Sequence, residues 1–285
     1  MFFEYLKAIL YGIVEGITEW MPVSSTGHLI ILEKKLPLEL FCSTDYEFYQ
    51  QYLSMFEVVI QLGAILAVLC IYFSKLNPFS KAKKEVFSLW AKLLLSTLPA
   101  AVIGILSDKL CEALLGKNLD FFLFRPSVVA CSLIIYGILF ILVEKLSKGS
   151  GNSLDTEVSF RCAFAIGCFQ ALAIIPGTSR SGATILGARI LGVPRTAAAE
   201  FSFFAAIPII ASASILKTFD FVGYTLKSKI PVPPEAFFIL LVAGTVAFLV
   251  SMLTIKVLTD FVKRHTFVPF GIYRIILGLA VLFFL

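Results

Sequence analysis

Charge is scarce in this sequence. Its 285 residues hold 24 lysines and arginines and 19 aspartates and glutamates, so 15% are charged while 59% are hydrophobic. Soluble domains carry about a quarter charged residues and about half apolar ones, so a soluble globular protein is excluded. The mean hydropathy, +0.92, points to an integral membrane protein instead. Net charge is only +5 and scattered, which suits cytoplasmic loops and argues against a nucleic-acid partner. Histidine occurs twice, and His265 sits in a basic stretch that reads as surface. Six cysteines show no CxxC spacing and mostly occupy apolar segments, so they read as small buried hydrophobes rather than metal or redox centres. Residues 1–22 carry Glu4, Glu15 and Glu19 and lack a small-residue cleavage site after a basic start, so no cleavable signal peptide is expected.

Long apolar runs are abundant. Six stretches are clean enough to cross a bilayer, near 51–73, 92–107, 126–144, 197–217, 234–256 and 268–285. Two further apolar regions are interrupted. Residues 5–35 break at Met21-Pro22-Val23-Ser24-Ser25, and residues 160–192 break at Pro176-Gly177-Thr178-Ser179. Pro and Gly end one helix there, and Ser or Thr can cap the next. Each half is too short to cross, so each region is expected to enter and leave by one face as a re-entrant hairpin.

The interrupted regions resemble each other. Gly12-x-x-Glu15 recurs as Gly167-x-x-Gln170 at an offset of 155, and Pro22–Ser25 recurs as Pro176–Ser179 at 154. Three crossings follow each hairpin, and an odd number inverts the second copy. The expected fold is an all-α polytopic membrane protein with an inverted-topology repeat, six transmembrane helices plus two re-entrant hairpins. It forms a single domain, 1–285, with repeats of about 1–150 and 151–285. Lys75, Lys81, Lys83, Lys84 and Lys92 crowd one loop; Lys145, Lys148 and Arg161 flank a second; Lys256, Lys263 and Arg264 a third. The loop at 36–50, with Glu39, Asp45 and Glu47, is not net basic. Basic loops in the cytoplasm put both termini outside, with the first hairpin entering from outside and the second from inside.

The chemistry concentrates in the hairpins. Glu15 and Glu19 share a helical face, and two carboxylates so close in a low dielectric cannot both stay charged. One must hold a proton, which makes the pair a candidate for general acid–base work, or a hard cation such as Mg²⁺ or Ca²⁺ must sit between them. Two interfacial glutamates reaching for a helix end are the plain alternative. Ser24, Ser25 and Thr26 lie where a second helix begins, and helix N-termini attract phosphate. A serine there could attack phosphorus with His28 moving the proton, or could simply cap the helix. In the second hairpin Arg180 lies among Thr178, Ser179, Ser181 and Thr184, a fork and hydroxyl donors suited to phosphate oxygens, or a brace for Glu15 and Glu19. Gln170 stands where the repeat leads one to expect a carboxylate. Glu57 and Gln61, and Glu200 beside the second hairpin, are weaker candidates. Gly104, Gly137 and Gly244 suit close helix packing.

These residues resemble the undecaprenyl-diphosphatase family of the bacitracin-resistance type. That family carries an E-x-x-x-E stretch running into P-V-S-S-T-G-H and a later P-G-x-S-R-S-G. Both are complete here, as Glu15 through His28 and Pro176 through Gly182, with Phe56–Gly63 between them also similar. The resemblance covers essentially the whole chain and departs in the loops 36–50 and 145–158. It implies hydrolysis of undecaprenyl diphosphate to the monophosphate carrier and inorganic phosphate, which recycles the lipid for peptidoglycan synthesis and confers bacitracin resistance. It also implies a divalent cation, a bacterial plasma-membrane location and a site opening to the outer face. A polyprenyl diphosphate and membrane lipids are the expected partners, with a homodimer as one option for assembly. On this reading Glu15 and Glu19 hold the cation or take a proton. Ser25 attacks or orients a water with His28 as acid–base partner, while Arg180 and the hydroxyls of Ser24, Thr26, Thr178, Ser179, Ser181 and Thr184, with Gln170, bind phosphate. The rival is a carrier-lipid flippase, with or without hydrolysis.

Overall fold

Backbone amides in hydrocarbon need partners within the protein, and helices supply them locally. The computed structural model describes residues 2–38, 46–80, 82–116, 119–146 and 158–284, and these form twelve α-helices and no strand. They are α1 (Phe2–Thr18), α2 (Ser25–Lys35), α3 (Tyr46–Ile71), α4 (Phe73–Leu76), α5 (Lys83–Leu115), α6 (Leu119–Leu123), α7 (Pro126–Leu146), α8 (Phe160–Ala171), α9 (Arg180–Ile190), α10 (Arg195–Ser228), α11 (Pro234–Arg264) and α12 (Val268–Phe284). Five of them, α3, α5, α7, α10 and α11, are long and apolar enough to cross a membrane; α12, at 17 residues, is shorter. Burial follows the bilayer rule. Leu106, Phe237, Leu253 and Ile276 stand exposed, while Glu15, Gln170, Ser181 and Arg274 are buried.

Both interrupted regions break where Pro and Gly fall. The chain leaves helix between Thr18 and Ser25, and again after a 3₁₀ turn at Leu172–Ile174, before Arg180. Helix α1 packs on α11 and α8 on α5, a crossed arrangement. A side chain at Gly12 would collide with the Ala243 carbonyl, and one at Gly167 with the Ser96 carbonyl, so glycine permits both approaches. Helices α7 and α12 meet at Gly137 and Gly271, where a Cβ on either would come within 2.7 Å of the other's carbonyl oxygen. Gly244 offers its carbonyl to Gly63, whereas Gly104 has no neighbour close enough to need glycine.

Three expectations need correction. Lys83, Lys84 and Lys92 lie in α5 and not in a loop, whereas Lys145 in α7, Arg161 in α8, and Lys256, Lys263 and Arg264 in α11 stand on helices that flank their loops. These charges sit on helix ends because lysine, arginine and their neighbours are good helix formers that carry the helices past the apolar core. Glu200 points away from the second break and pairs with Lys75 at 2.6 Å. The two capping residues, Ser24 and Ser179, stand 155 apart like Gly12 and Gly167, and at that offset Pro22 falls opposite Gly177 and not Pro176. Glu39, Cys42, Asp45, Lys81 and Lys148 lie outside the described residues.

Candidate active site

Each break ends on a serine in the left-handed region, Ser24 at φ 76° and Ser179 at φ 68°. Non-glycine residues rarely adopt that backbone, at a cost on the order of 1–3 kcal/mol, and it persists where surrounding structure enforces it. Each hydroxyl accepts the third amide of the new helix, Gly27 N at 3.2 Å and Gly182 N at 3.1 Å. Those bonds start α2 and α9 and aim two helix N-termini at one region.

Between them lies a charged cluster. Arg180 donates from Nη2 to Glu19 Oε1 at 2.8 Å and from Nη1 to the Ser202 carbonyl at 2.6 Å. The Ser25 hydroxyl donates to the other Glu19 oxygen, Oε2, at 2.9 Å. One carboxylate therefore joins the two breaks and holds a hydroxyl. Trp20, fully buried, lies beneath the guanidinium with its ring centre 5.9 Å from Cζ. Glu15 is fully buried one turn before Glu19, and neither of its oxygens has a hydrogen-bond partner.

His28 is occupied elsewhere. Its Nδ1 faces the Ser24 carbonyl at 2.7 Å, and a carbonyl only accepts, so Nδ1 carries the hydrogen. In the neutral ring Nε2 then accepts from the Tyr273 hydroxyl at 2.7 Å. The expected Ser25–His28 pairing is not made; Ser25 is paired with Glu19.

The remaining candidates divide. The Ser181 hydroxyl lies 3.1 Å from the capping Ser179 hydroxyl and donates weakly to the Met21 carbonyl at 3.4 Å, while Thr184 is 2.7 Å from the Ser202 hydroxyl. Thr178 is buried with its hydroxyl unpartnered, and Thr26 is half-buried. Gln170 is drawn away: its Nε2 donates to the Ser96 carbonyl of α5 at 3.3 Å. Glu57 is half-buried.

Arg274 lies within the apolar stretch 268–285 and is not among the expected site residues. It is fully buried in α12, and its Nη2 donates to the carbonyls of Gly177 at 2.7 Å and Thr178 at 2.9 Å while Nη1 reaches the Pro22 carbonyl at 3.2 Å. One guanidinium thus clips both breaks together. It has Tyr136 below it at 5.4 Å. The signal was available, since a lone arginine in an apolar helix marks a functional position. Arg180 reaches the Glu19 carboxylate, whereas Arg274 is engaged by three backbone carbonyls. A second missed cluster, Glu144 bound by Arg189 at 3.1 Å and Arg195 at 2.8 Å, ties the ends of α7, α9 and α10 together.

Comparison with known proteins gives one consistent answer. The family model described as bacitracin resistance protein BacA matches residues 8–280. The undecaprenyl-diphosphatase of Streptococcus mutans is 50% identical over 291 residues, covering 100% of this chain and 97% of its own. That of Acetivibrio thermocellus is 46% identical, covering 99% of this chain and 98% of its own. That of Enterococcus faecalis is 45% identical, covering 98% of this chain and 96% of its own.

Proposed function

The chain belongs to the bacitracin resistance protein family, and from this membership we infer that it hydrolyses undecaprenyl diphosphate to undecaprenyl phosphate and inorganic phosphate. The reaction recycles the carrier lipid for cell-wall synthesis and underlies resistance to bacitracin. The observation that carries the site is the Glu19 carboxylate, held by Arg180 from one break and holding Ser25 on the other.

The diphosphate lodges between the two breaks, and its prenyl chain stays in lipid. Arg180 faces the terminal phosphoryl group, whose charge spreads over its oxygens in the transition state. Glu19 takes the proton of Ser25 as Oγ attacks the terminal phosphorus. The bond from that phosphorus to the bridging oxygen breaks, and undecaprenyl phosphate departs. A water then attacks the phosphoserine, Oγ leaves with a proton, and inorganic phosphate is released. His28 and Tyr273 form a short relay beside this path and can return protons to the departing oxygens. If Ser25 instead orients the attacking water, the same groups act in one step.

Glu15 and Glu19 fit a divalent cation, Mg²⁺ or Ca²⁺. A buried carboxylate with both oxygens unpartnered, one turn from a second carboxylate, is the donor set such an ion needs. Among the described residues no group of three or more acidic, histidine or cysteine side chains is gathered, so Glu15 and Glu19 would be the two residues to hold the ion. Bound there, the cation supplies charge neutralisation for the phosphoryl oxygens.

Helices α3, α5, α7, α10, α11 and α12 cross the membrane, and α1–α2 and α8–α9 are re-entrant hairpins of two inverted repeats, 1–150 and 151–285. The crossed packing of α1 on α11 and α8 on α5, and the reciprocal Gly137–Gly271 contact, support a pseudo-two-fold relation. The basic helix ends face the cytoplasm of a bacterial plasma membrane, both termini lie outside, and the site opens outward.

The test is phosphate release by purified protein in detergent from a prenyl diphosphate, with and without chelator. Wild type should release phosphate, chelator should suppress it, and Glu19→Gln should abolish it. A flippase without hydrolytic activity would release none in any arm.

A further inference from the structure

Glu144, near the end of α7, is buried and both of its oxygens are engaged. Arg189 of α9 donates from Nε to Oε1 at 3.1 Å, and Arg195 of α10 gives both Nε and Nη2 to Oε2, each at 2.8 Å. Arg189 also donates from Nη1 to the Val193 carbonyl at 2.8 Å, which closes the turn between α9 and α10. Desolvating charges costs about as much as their attraction returns, so a buried ion cluster is a poor device for stability alone. It serves geometry better, because a guanidinium fork fixes direction as well as distance.

The geometry at stake is that of α9. Arg189 stands nine residues beyond Arg180, about two and a half turns along the same helix, so the two arginines leave α9 on opposite faces. At one end α7 grips the helix through Glu144. At the other, Arg180 is held by Glu19 of the first break and by the Ser202 carbonyl of α10. Arg195 and Ser202, seven residues apart, share a face of α10, so the same pair of helices is joined at both points. Helix α7 also supports the second break itself. A side chain at Gly177 would collide with the Val129 carbonyl, and Tyr136 lies beneath Arg274. A cation at a helix N-terminus gains nothing from the helix dipole, so the place of Arg180 depends on these external holds.

We propose that Glu144 is a positioning residue for the phosphate chemistry: by holding Arg189 and Arg195 it sets the tilt of α9, and so where the Arg180 guanidinium meets the terminal phosphoryl group. The inference rests on the hydrolytic reading above and on the role given there to Arg180.

A double-mutant cycle with Arg180→Ala tests this, reading kcat and KM for a prenyl diphosphate in detergent. Glu144→Gln should lower kcat about 10- to 100-fold and leave KM within about twofold, because a shift on the order of 1 Å at a reacting group costs up to about 100-fold in rate. In the Arg180→Ala background the same change should cost less than about twofold, since the group it places is gone. Glu144→Gln strips a buried arginine of its counter-charge, so Arg195→Gln, at a side chain 25% exposed, is the gentler second variant. It keeps the Glu144–Arg189 pair and should lower kcat about three- to tenfold, again only where Arg180 is present. Hydrolysis by wild type and its loss in Arg180→Ala carry the functional reading, whereas the coupling between the substitutions carries this one. An unchanged kcat in both variants, a loss confined to KM, or an equal loss with and without Arg180, as general destabilisation would give, would overturn the proposal.

Discussion

The two breaks share a backbone and divide a chemistry. Helix α2 and helix α9 both run eleven residues, and both start from a serine cap in the left-handed region. At matched positions 155 apart, however, Glu15 stands against Gln170, Ser25 against Arg180 and His28 against Ala183. In the proposed mechanism the proton-handling groups belong to the first break and the phosphate-facing cation to the second. The division has a physical advantage. Opposite charges within one short segment would satisfy each other locally, whereas charges brought from two segments can be parted by a substrate that bridges them. Arg274 fixes the two breaks through their backbones and leaves their side chains out of its bonds.

Removing the group unique to the first break should cost most. Ser25→Ala deletes the proposed nucleophile and should lower phosphate release about 10⁴-fold or more, as loss of a nucleophile does elsewhere. Quenched-flow trapping should show a phosphoserine in wild type and none in the variant. Turnover within about tenfold of wild type would mean that a water attacks instead.

Removing the group unique to the second break comes next. Arg180→Ala should lower turnover about 100- to 1,000-fold, the usual cost of one transition-state donor. Arg180→Lys should rescue little, because a single ammonium cannot span Glu19 and the Ser202 carbonyl as the fork does. Near-normal turnover in Arg180→Ala would erase the division between the breaks.

Arg274 tests whether the breaks must be held together. Arg274→Met removes three bonds to backbone carbonyls without touching a reacting group, and a displacement on the order of 1 Å costs about 100-fold in rate. The melting temperature in detergent should fall as well, since the Gly177 and Thr178 carbonyls lose a buried donor. A rate loss with no loss of stability would give Arg274 a direct role toward the phosphate.

Exchange at the matched positions 15 and 170 is subtler. Glu15→Gln makes the first break resemble the second. It should raise the divalent cation concentration needed for half-maximal turnover by about tenfold. Gln170→Glu makes the opposite change but loses the donor to the Ser96 carbonyl and buries an acid, so stability should suffer more than turnover. A cation dependence unmoved by Glu15→Gln would exclude Glu15 as a ligand.

Much of this was legible in sequence for a simple reason. Long apolar runs, and Pro, Gly and Ser clusters within two of them, act locally, so the helices and both breaks follow from short-range rules. What depended on three-dimensional partners was harder to see. Arg274 passed as part of an apolar run because one charge barely lowers a run's average, and only its three carbonyl partners reveal its role. Glu144, Arg189 and Arg195 belong to no motif, yet they pair in space and Glu144 and Arg189 are almost wholly buried. Pro22 and Pro176 match in sequence at an offset of 154, whereas the serine caps Ser24 and Ser179 stand 155 apart. His28 follows Ser25 by three residues, but its ring turns to the Ser24 carbonyl and Tyr273, leaving Ser25 to Glu19.

The smallest effect should come from the caps, and it bears most directly on whether the backbones are equivalent. Ser24→Gly and Ser179→Gly each remove a hydroxyl that accepts a helix amide, a loss of a few tenths of a kcal/mol when glycine replaces serine at an N-cap. Each also relieves a positive φ that serine tolerates poorly and glycine adopts freely. The two terms oppose, so the net change in unfolding free energy should stay within about 1 kcal/mol, with the same sign and similar size at both positions. Alanine gains nothing from the relief and loses the same bond, so Ser24→Ala and Ser179→Ala should each be worse than glycine by about 1 kcal/mol. Opposite signs at the two positions would mean that one break is strained to serve the substrate and the other only to turn the chain.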